Sequence, residues 1–387
     1  MSIINVESEI EPLKEVLLHR PGKELLNLSE DTLSKLLFDE IPCLEKAQKE
    51  HDSFAQRLKE NGVKVVYLED LVSEALISPQ IKDKFIKQFI EEASVKSKYK
   101  IPTYNYLNSI KDIKKMVLKT MEGIKKEEIT KLKSPFFITD PMPNLYFTRD
   151  NFSSLNNGIS INKMSSSTRS RETIYGEYIF NYHPKYKNKV TKYYSRYEKY
   201  HIEGGDIINL NSHTLLIGIS QRTEMKAILT LANHIFQNKN KIDTILAITI
   251  PKDRAFMHLD TVFTQVDYDK FVYYPKAFEK SKIYEINKTK VQKINEKLEK
   301  ILEKYIYKKI TLIPCANGDL ANEKKEQWND GCNTLCINKG LVIVYDKNKI
   351  TNELLKKHGI KVIEISGSEL LKGRGGPRCM SMPLIRK

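Results

Sequence analysis

Short apolar runs closed by turn residues recur along most of this chain, and that rhythm constrains its fold more than any other feature. Val16-Leu17-Leu18 reads as a strand ended by Pro21-Gly22, and the run from Val63 to Leu68 as another after Asn61-Gly62. Between them Ile41, Leu44, Ala47, Phe54 and Leu58 keep helical spacing over residues 40–60. The rhythm stops from about Pro79 to Lys133, where apolar residues three and four apart alternate with lysines. A bundle of several helices is expected there, inserted over 75–133 and broken near Pro102. After Pro135 the strand-and-turn pattern resumes, with strands expected at 215–219, 244–250, 341–345 and 361–365 and helices at 222–236 and 290–305. The pattern predicts an α/β domain covering 1–387 with a helical insertion. No literal repeat is visible.

The chain has 387 residues, more than one small core absorbs, and its 40% apolar and 29% charged residues suit a soluble globular protein. Its longest uncharged run, between Asp206 and Arg222, is too short and too polar to cross a bilayer, so no membrane partner is expected. Glu7, Glu9 and Glu11 stand where a basic-then-apolar leader would be, and a secretory signal is not expected. Five thinly spread cysteines fit reduced thiols in a cytoplasm better than a disulfide framework. Sixty-four Lys+Arg against 49 Asp+Glu leave +15, but only 11 of the 64 are arginine. The lysines are interspersed with glutamates, as at Lys297, Glu299 and Lys300, and no zinc-finger or aromatic RNA-binding pattern accompanies them. A solvated basic surface is expected, not a specific nucleic-acid site. Six of the scarce arginines (149, 169, 171, 222, 374 and 378) fall in short motif-like stretches. Only arginine offers a planar fork for a carboxylate, so each of these is either a carboxylate grip or a buried ion pair.

Four polar motifs disagree with the patterns around them. In Pro141-Met-Pro-Asn-Leu-Tyr-Phe-Thr-Arg-Asp150, two prolines fix an irregular entry and Asp150 is expected at a strand end, to hold a cation or to pair with Arg149. In His201-Ile-Glu-Gly-Gly-Asp206, two glycines free the backbone and bring Glu203 and Asp206 near a bound group, whether metal, organic cation or structural turn. In Met257-His-Leu-Asp260, an extended segment would put His258 and Asp260 on one face, as a base, a ligand or a satisfied core pair. In Gly373-Arg-Gly-Gly-Pro-Arg-Cys379, a cysteine follows a glycine-rich loop, with Arg374 and Arg378 available to favour its thiolate. Cys332 and Cys336 lack a second ligand pair, and no zinc site is expected there. A cysteine and a histidine alone would suggest acyl transfer. Several added carboxylates argue instead for a flat cationic substrate, because two carboxylates can each bind two N–H groups of a guanidinium in one plane.

The stretches PMPNLYFTRD, HIEGGD, MHLDTVFT and GRGGPRCMSMPL, in this order, resemble the bacterial arginine deiminases, and the likeness extends from LLHRPG and LLFDE to the end of the chain. The resemblance implies a five-bladed α/β propeller of ββαβ-like units with a helical bundle inserted in the first part. It implies hydrolysis of L-arginine to L-citrulline and ammonium, with no metal or organic cofactor. By the same likeness Cys379 matches the nucleophile, His258 the general acid/base, and Asp150 and Asp260 the guanidinium-binding carboxylates. Glu203 falls beside the histidine and Asp206 near the substrate. Arg169 (with Arg171 as its alternative) and Arg222 match the arginines that hold the α-carboxylate, Asn144 and Phe147 line the pocket, and Arg374 stands by its entry. A homo-oligomer is expected. The basic charge balance departs from the acidic one expected of the family, without touching a catalytic position. Another guanidino hydrolase, an amidinotransferase or a silent basic binding protein are the alternatives.

Overall fold

The computed structural model describes residues 3–130, 133–134, 136–238 and 240–387; the boundary expected at Pro135 and residues 131 and 132 of the expected insertion lie outside them. Five sheets repeat one plan: an antiparallel pair, then a crossover, then a third strand parallel to the middle one. Phe152–Leu155 pairs with Gly158–Ile161 and then Thr191–Tyr194; Ile207–Asn209 with Thr214–Ile219 and then Thr244–Thr249. Phe263–Gln265 pairs with Lys270–Tyr273 and then Thr311–Pro314; Leu335–Asn338 with Leu341–Tyr345 and then Lys361–Ile365. The fifth sheet joins the two ends of the chain, Met382–Arg386 lying antiparallel to Leu13–Leu18, which runs parallel to Lys64–Tyr67.

The parallel partners are near-continuous apolar runs because both their faces are covered. Thr214–Ile219 (TLLIGI) and Thr244–Thr249 (TILAIT) are buried almost throughout. The crossover between them is the helix Met225–Gln237, which turns Ala227, Ile228, Leu231, Ala232 and Ile235 inward at helical spacing. The helices between Pro79 and Glu122 share a core with this scaffold. Phe85, Phe89, Leu107 and Met116 pack in one cluster with Phe152 and Ile159 of a sheet and Tyr175 and Tyr178 of the helix Thr173–Tyr182.

Two expected elements differ. Pro102 lies inside the helix Ser97–Ser109, and the interruption comes before it, at residues 93–96. Proline removes one backbone donor there, a loss the flanking turns absorb. The run 290–305 is not one helix: Val291–Ile294 is an edge strand paired with Ile283–Ile286, and the helix occupies only Leu298–Ile306. Lysines at 290 and 293 suit a solvated sheet edge as well as a helix surface, so charge alone did not separate them.

Candidate active site

Short segments that lead into the first strands of the sheets converge and carry the polar motifs. Asp150 sits in the helical turn Thr148–Asn151 before Phe152, not at a strand end. His258 caps, and Asp260 lies within, the 3-10 turn Leu259–Thr261, so the two are not alternate residues of an extended segment. Glu203 caps the 3-10 turn Gly204–Asp206 ahead of Ile207, and Cys379 comes just before Met382. The glycine at 205 serves close approach, not left-handed backbone: a Cβ there would lie 2.6 Å from the His258 ring. All five side chains are buried.

His258 is the electrostatic centre. Its Nε2 hydrogen-bonds Glu203 Oε2 at 2.8 Å, and its Nδ1 is 3.7 Å from Asp150 Oδ1. Burial alone would disfavour the imidazolium, but Asp150, Glu203 and Asp206 outweigh it and raise the His258 pKa to about 9. Glu203 is held on its other oxygen by Ser165, whose N–H and Oγ–H donate at 2.8 and 2.9 Å. Despite burial, Arg222 and His258 keep its carboxyl well below the usual range. Asp206 accepts from Ser220 Oγ at 2.7 Å and from the Leu259 N–H at 2.8 Å, and burial lifts its pKa to about 6.

Cys379 departs from the sequence expectation in its charge environment. Neither neighbouring guanidinium serves the sulfur. Arg378 turns away to Asp260 Oδ2 (2.7 Å), Glu9 (3.1 and 3.2 Å) and the Ile207 carbonyl (2.7 Å). Arg374, with φ +63°, lays its guanidinium 3.3 Å over the Trp328 ring, 3.6 Å from Asp39. The sulfur faces carboxylates, with Asp260 Oδ2 3.6 Å away. Burial first, and then Asp260, Asp150 and Asp330, push the thiol well above its ordinary range. These directions make it a thiol in a pocket that it shares with the His258 imidazolium.

Asp150 pairs with Arg169 at 2.7 Å and not with Arg149, which approaches Glu9 at 3.9 Å instead. Arg169 is also locked to Glu172 at 2.9 Å. Arg171 donates to the Asp140 carbonyl at 3.0 Å, away from the pocket. Arg222 Nη1, 3.8 Å from Glu203, is buried without a hydrogen bond. Asp150 and Asp260 each keep Oδ1 buried and unbonded. Asn144, Phe147, Asp150, Arg169, Arg222, His258, Arg374 and Cys379 line a single pocket, roofed by Leu37, Met257 and Gly373. It holds about 20 Å³, room for one water. A larger void of about 800 Å³ lies among the turns at Asn211–Thr214 and Tyr268, but no cysteine lines it, and its one histidine–carboxylate pair, His213 with Asp243 at 3.2 Å, is exposed to solvent. Asp150, Glu203 and His258 offer ligand atoms within 4.8 Å of one another, a geometry open to a cation. Both Glu203 oxygens are engaged, Oε2 by His258 and Oε1 by Ser165, so a metal taking Glu203 would have to displace one of those bonds.

Sequence reasoning missed several contributors. Glu9 anchors Arg378, whose buried pair with Asp260 is one of the two roles the sequence left open for it; Ser165 orients Glu203, and Asp330, its pKa raised by burial to about 7, faces the pocket's charges. Asn333 bonds Cys379 directly. The local signal for Asn333 is the Gly331-Cys332-Asn333 turn ahead of the strand Leu335–Asn338, which by itself marks a turn and no chemistry.

Solved structures share this architecture. The product-bound N-terminal domain of an arginine dihydrolase from the ornithine-ammonia cycle in cyanobacteria superposes with a TM-score of 0.57 at 15% identity, covering 96% of this chain and 97% of that one. An adduct of dimethylarginine dimethylaminohydrolase with S-methyl-L-thiocitrulline gives 0.55 at 16%, covering 96% and 99%. The fold is thus the one that these two solved enzymes share. A narrower assignment follows from sequence. The family model described as arginine deiminase matches residues 34–386. Arginine deiminases of Treponema denticola and Streptococcus gordonii are 55% and 47% identical, covering 100% and 99% of this chain and 99% and 98% of theirs. The chain belongs to the arginine deiminase family.

Proposed function

We propose that this protein hydrolyses L-arginine to L-citrulline and ammonium, with Cys379 as nucleophile and His258 as general acid and base. The observation that carries the reading is the pair of buried, unbonded oxygens on Asp150 and Asp260 beside the thiol and the imidazolium. A chamber so rich in negative charge wants a cation, and a guanidinium supplies N–H groups for both oxygens at once. Its positive charge offsets the carboxylate field that holds the thiol neutral, so substrate binding favours loss of the thiol proton to water and formation of the thiolate. Sγ then attacks the guanidinium carbon, and His258, already charged, gives its proton to the departing ammonia. The product of this half is a thiouronium-type adduct. Water gives one proton to His258 and attacks the same carbon; the C–S bond breaks to release citrulline and the thiolate, and the proton shed by the hydroxyl converts the ammonia to ammonium.

Arg222, with its unbonded Nη1, is assigned to the substrate α-carboxylate, together with Arg169; Asn144 and Phe147 line the pocket, and Arg374 covers its entry. Glu203 and Asp206 act through His258. The five repeated sheets support a five-bladed propeller over residues 1–387, with the helical segment 75–133 inserted in its first unit. The same reading places the enzyme in the cytoplasm as a homo-oligomer. A colorimetric citrulline assay tests the activity, and product analysis from methylated arginine, agmatine and arginine plus glycine tests the substrate. Cys379→Ser should abolish turnover while arginine still binds. Citrulline production near the parent rate in that variant would remove Cys379 from its role.

A further inference from the structure

Asn333 is fully buried in the turn that leads into Leu335–Asn338, and its carboxamide is saturated by the nucleophile's own surroundings. Its Oδ1 accepts from the Cys379 N–H at 3.1 Å, and its Nδ2 lies 3.1 Å from the Asp260 carbonyl and 3.1 Å from Cys379 Sγ. These partners fix the orientation of the amide. A backbone N–H must meet the oxygen and a carbonyl must meet the nitrogen, so the group aimed at sulfur is an N–H donor. Gly376 protects the arrangement: a Cβ there would stand 2.7 Å from Asn333 Oδ1 and 2.8 Å from its Cβ. The glycine-rich loop is therefore pressed against Asn333 as closely as backbone allows.

The sulfur needs such a donor. The ionisable groups facing it are Asp150, Asp260 and Asp330, the hydroxyls of Tyr146 and Tyr345, and His258 across the pocket. The carboxylates and burial oppose a thiolate, and His258 is committed to Glu203 and Asp150. Besides Asn333, the Gly376 backbone N–H favours the anion. We propose that Asn333 is a catalytic residue of this site, its Nδ2–H donating to Cys379 Sγ and stabilising the thiolate both as it attacks and as it leaves the adduct. The inference rests on the reading of Cys379 as nucleophile.

The test follows alkylation of Cys379 by iodoacetamide against pH, by mass spectrometry of its peptide, with the exposed Cys43 as internal reference. Citrulline kinetics are run in parallel on the parent, Asn333→Ala, Asn333→Asp and Cys379→Ser. Loss of a hydrogen bond to a charged group should displace the Cys379 curve of Asn333→Ala upward by about one to two pH units. At neutral pH kcat should fall about 10–100-fold, with partial recovery in alkali and little change in KM. Asn333→Asp keeps the shape and the acceptor for the Cys379 N–H but removes the donor. It should shift the curve at least as far, and it decides the matter where the alanine variant fails to fold. An alkylation curve that overlays the parent's in the folded variant overturns the proposal, as does a loss of kcat equal at every pH. Turnover by Cys379→Ser would instead sink the assignment of the nucleophile, whatever Asn333 does.

Discussion

At the level of single residues, the site stores its charge in the opposite sense from a resting cysteine–histidine ion pair. Asp150, Glu203 and Asp206 hold His258 protonated to about pH 9, while burial together with Asp260, Asp150 and Asp330 holds Cys379 neutral. The acid needed to expel ammonia is thus ready before substrate arrives, while the nucleophile is formed by the substrate's own charge. Glu203 is the partner whose contribution is separable, since it touches the imidazole at 2.8 Å and Asp150 faces the other nitrogen. Glu203→Gln keeps a hydrogen bond but deletes the negative charge, so the folded-state pKa of His258 should drop from about 9 by roughly one to two units. Because His258 acts first as an acid, the alkaline limb of the kcat profile should move to lower pH by that amount. Activity near pH 6 should be the least affected. A profile for Glu203→Gln that coincides with the parent's at every pH would show that Glu203 does not set the protonation of His258.

At the level of elements, the entry segments were legible in sequence as motifs but not as shapes. Glycines, prolines and clustered acids marked where the strand rhythm fails, and strands such as Leu341–Tyr345 and Lys361–Ile365 stand where alternation put them. Whether Asp260 lies on a strand or in a 3-10 turn is decided by distant partners, Arg378 and Glu9 among them, and these leave no local trace. The same holds for His19, which follows the strand Leu13–Leu18 and ties it to the helix Leu68–Ala75. Its ring nitrogens meet Glu69 at 2.8 Å and Glu24 at 3.2 Å in a fully buried pocket. Burial opposes its charge, but the two glutamates prevail and raise its pKa to about 10 from an ordinary 6.5. A group raised in the folded state contributes its full stabilisation below the unfolded value, and loses it as pH climbs through the folded one. The pair with Glu69 and Glu24 should therefore be fully stabilising at pH 6, weaken from about pH 6.5 upward, and vanish beyond about pH 10. Thermal unfolding of the parent should decline across that window. His19→Gln, already destabilised by about 3–5 kcal/mol through two stranded buried carboxylates, should show a flatter decline. Parallel curves for the two proteins would remove His19 from the alkaline transition.

At the level of the whole molecule, the chain closes its first sheet with its last strand, which brings the C-terminal nucleophile to acids carried by earlier units. That closure also seals the site, for a pocket of about 20 Å³ admits no arginine. The roof comes from three distant stretches, around Leu37, Met257 and Arg374, and Asp39 ties two of them by pairing with both Arg254 and Arg374. Substrate entering past these stretches would part these pairs. Trp328 is the single tryptophan, and the Arg374 guanidinium lies 3.3 Å from its ring, so its emission reports the departure of the loop. In stopped-flow mixing of Cys379→Ser with arginine, the Trp328 signal should change with a rate limited by this opening. Asp39→Ala in the same background releases both arginines at once. The pair with the exposed Arg254 contributes only about 0.2–1 kcal/mol, and the pair with the buried Arg374 stands 3.6 Å apart, so opening should quicken about two- to tenfold while the fold is unharmed. If arginine instead binds at the same rate with and without Asp39, the roof is not held by these pairs, and the closed state must rest on the stacking of Arg374 upon Trp328.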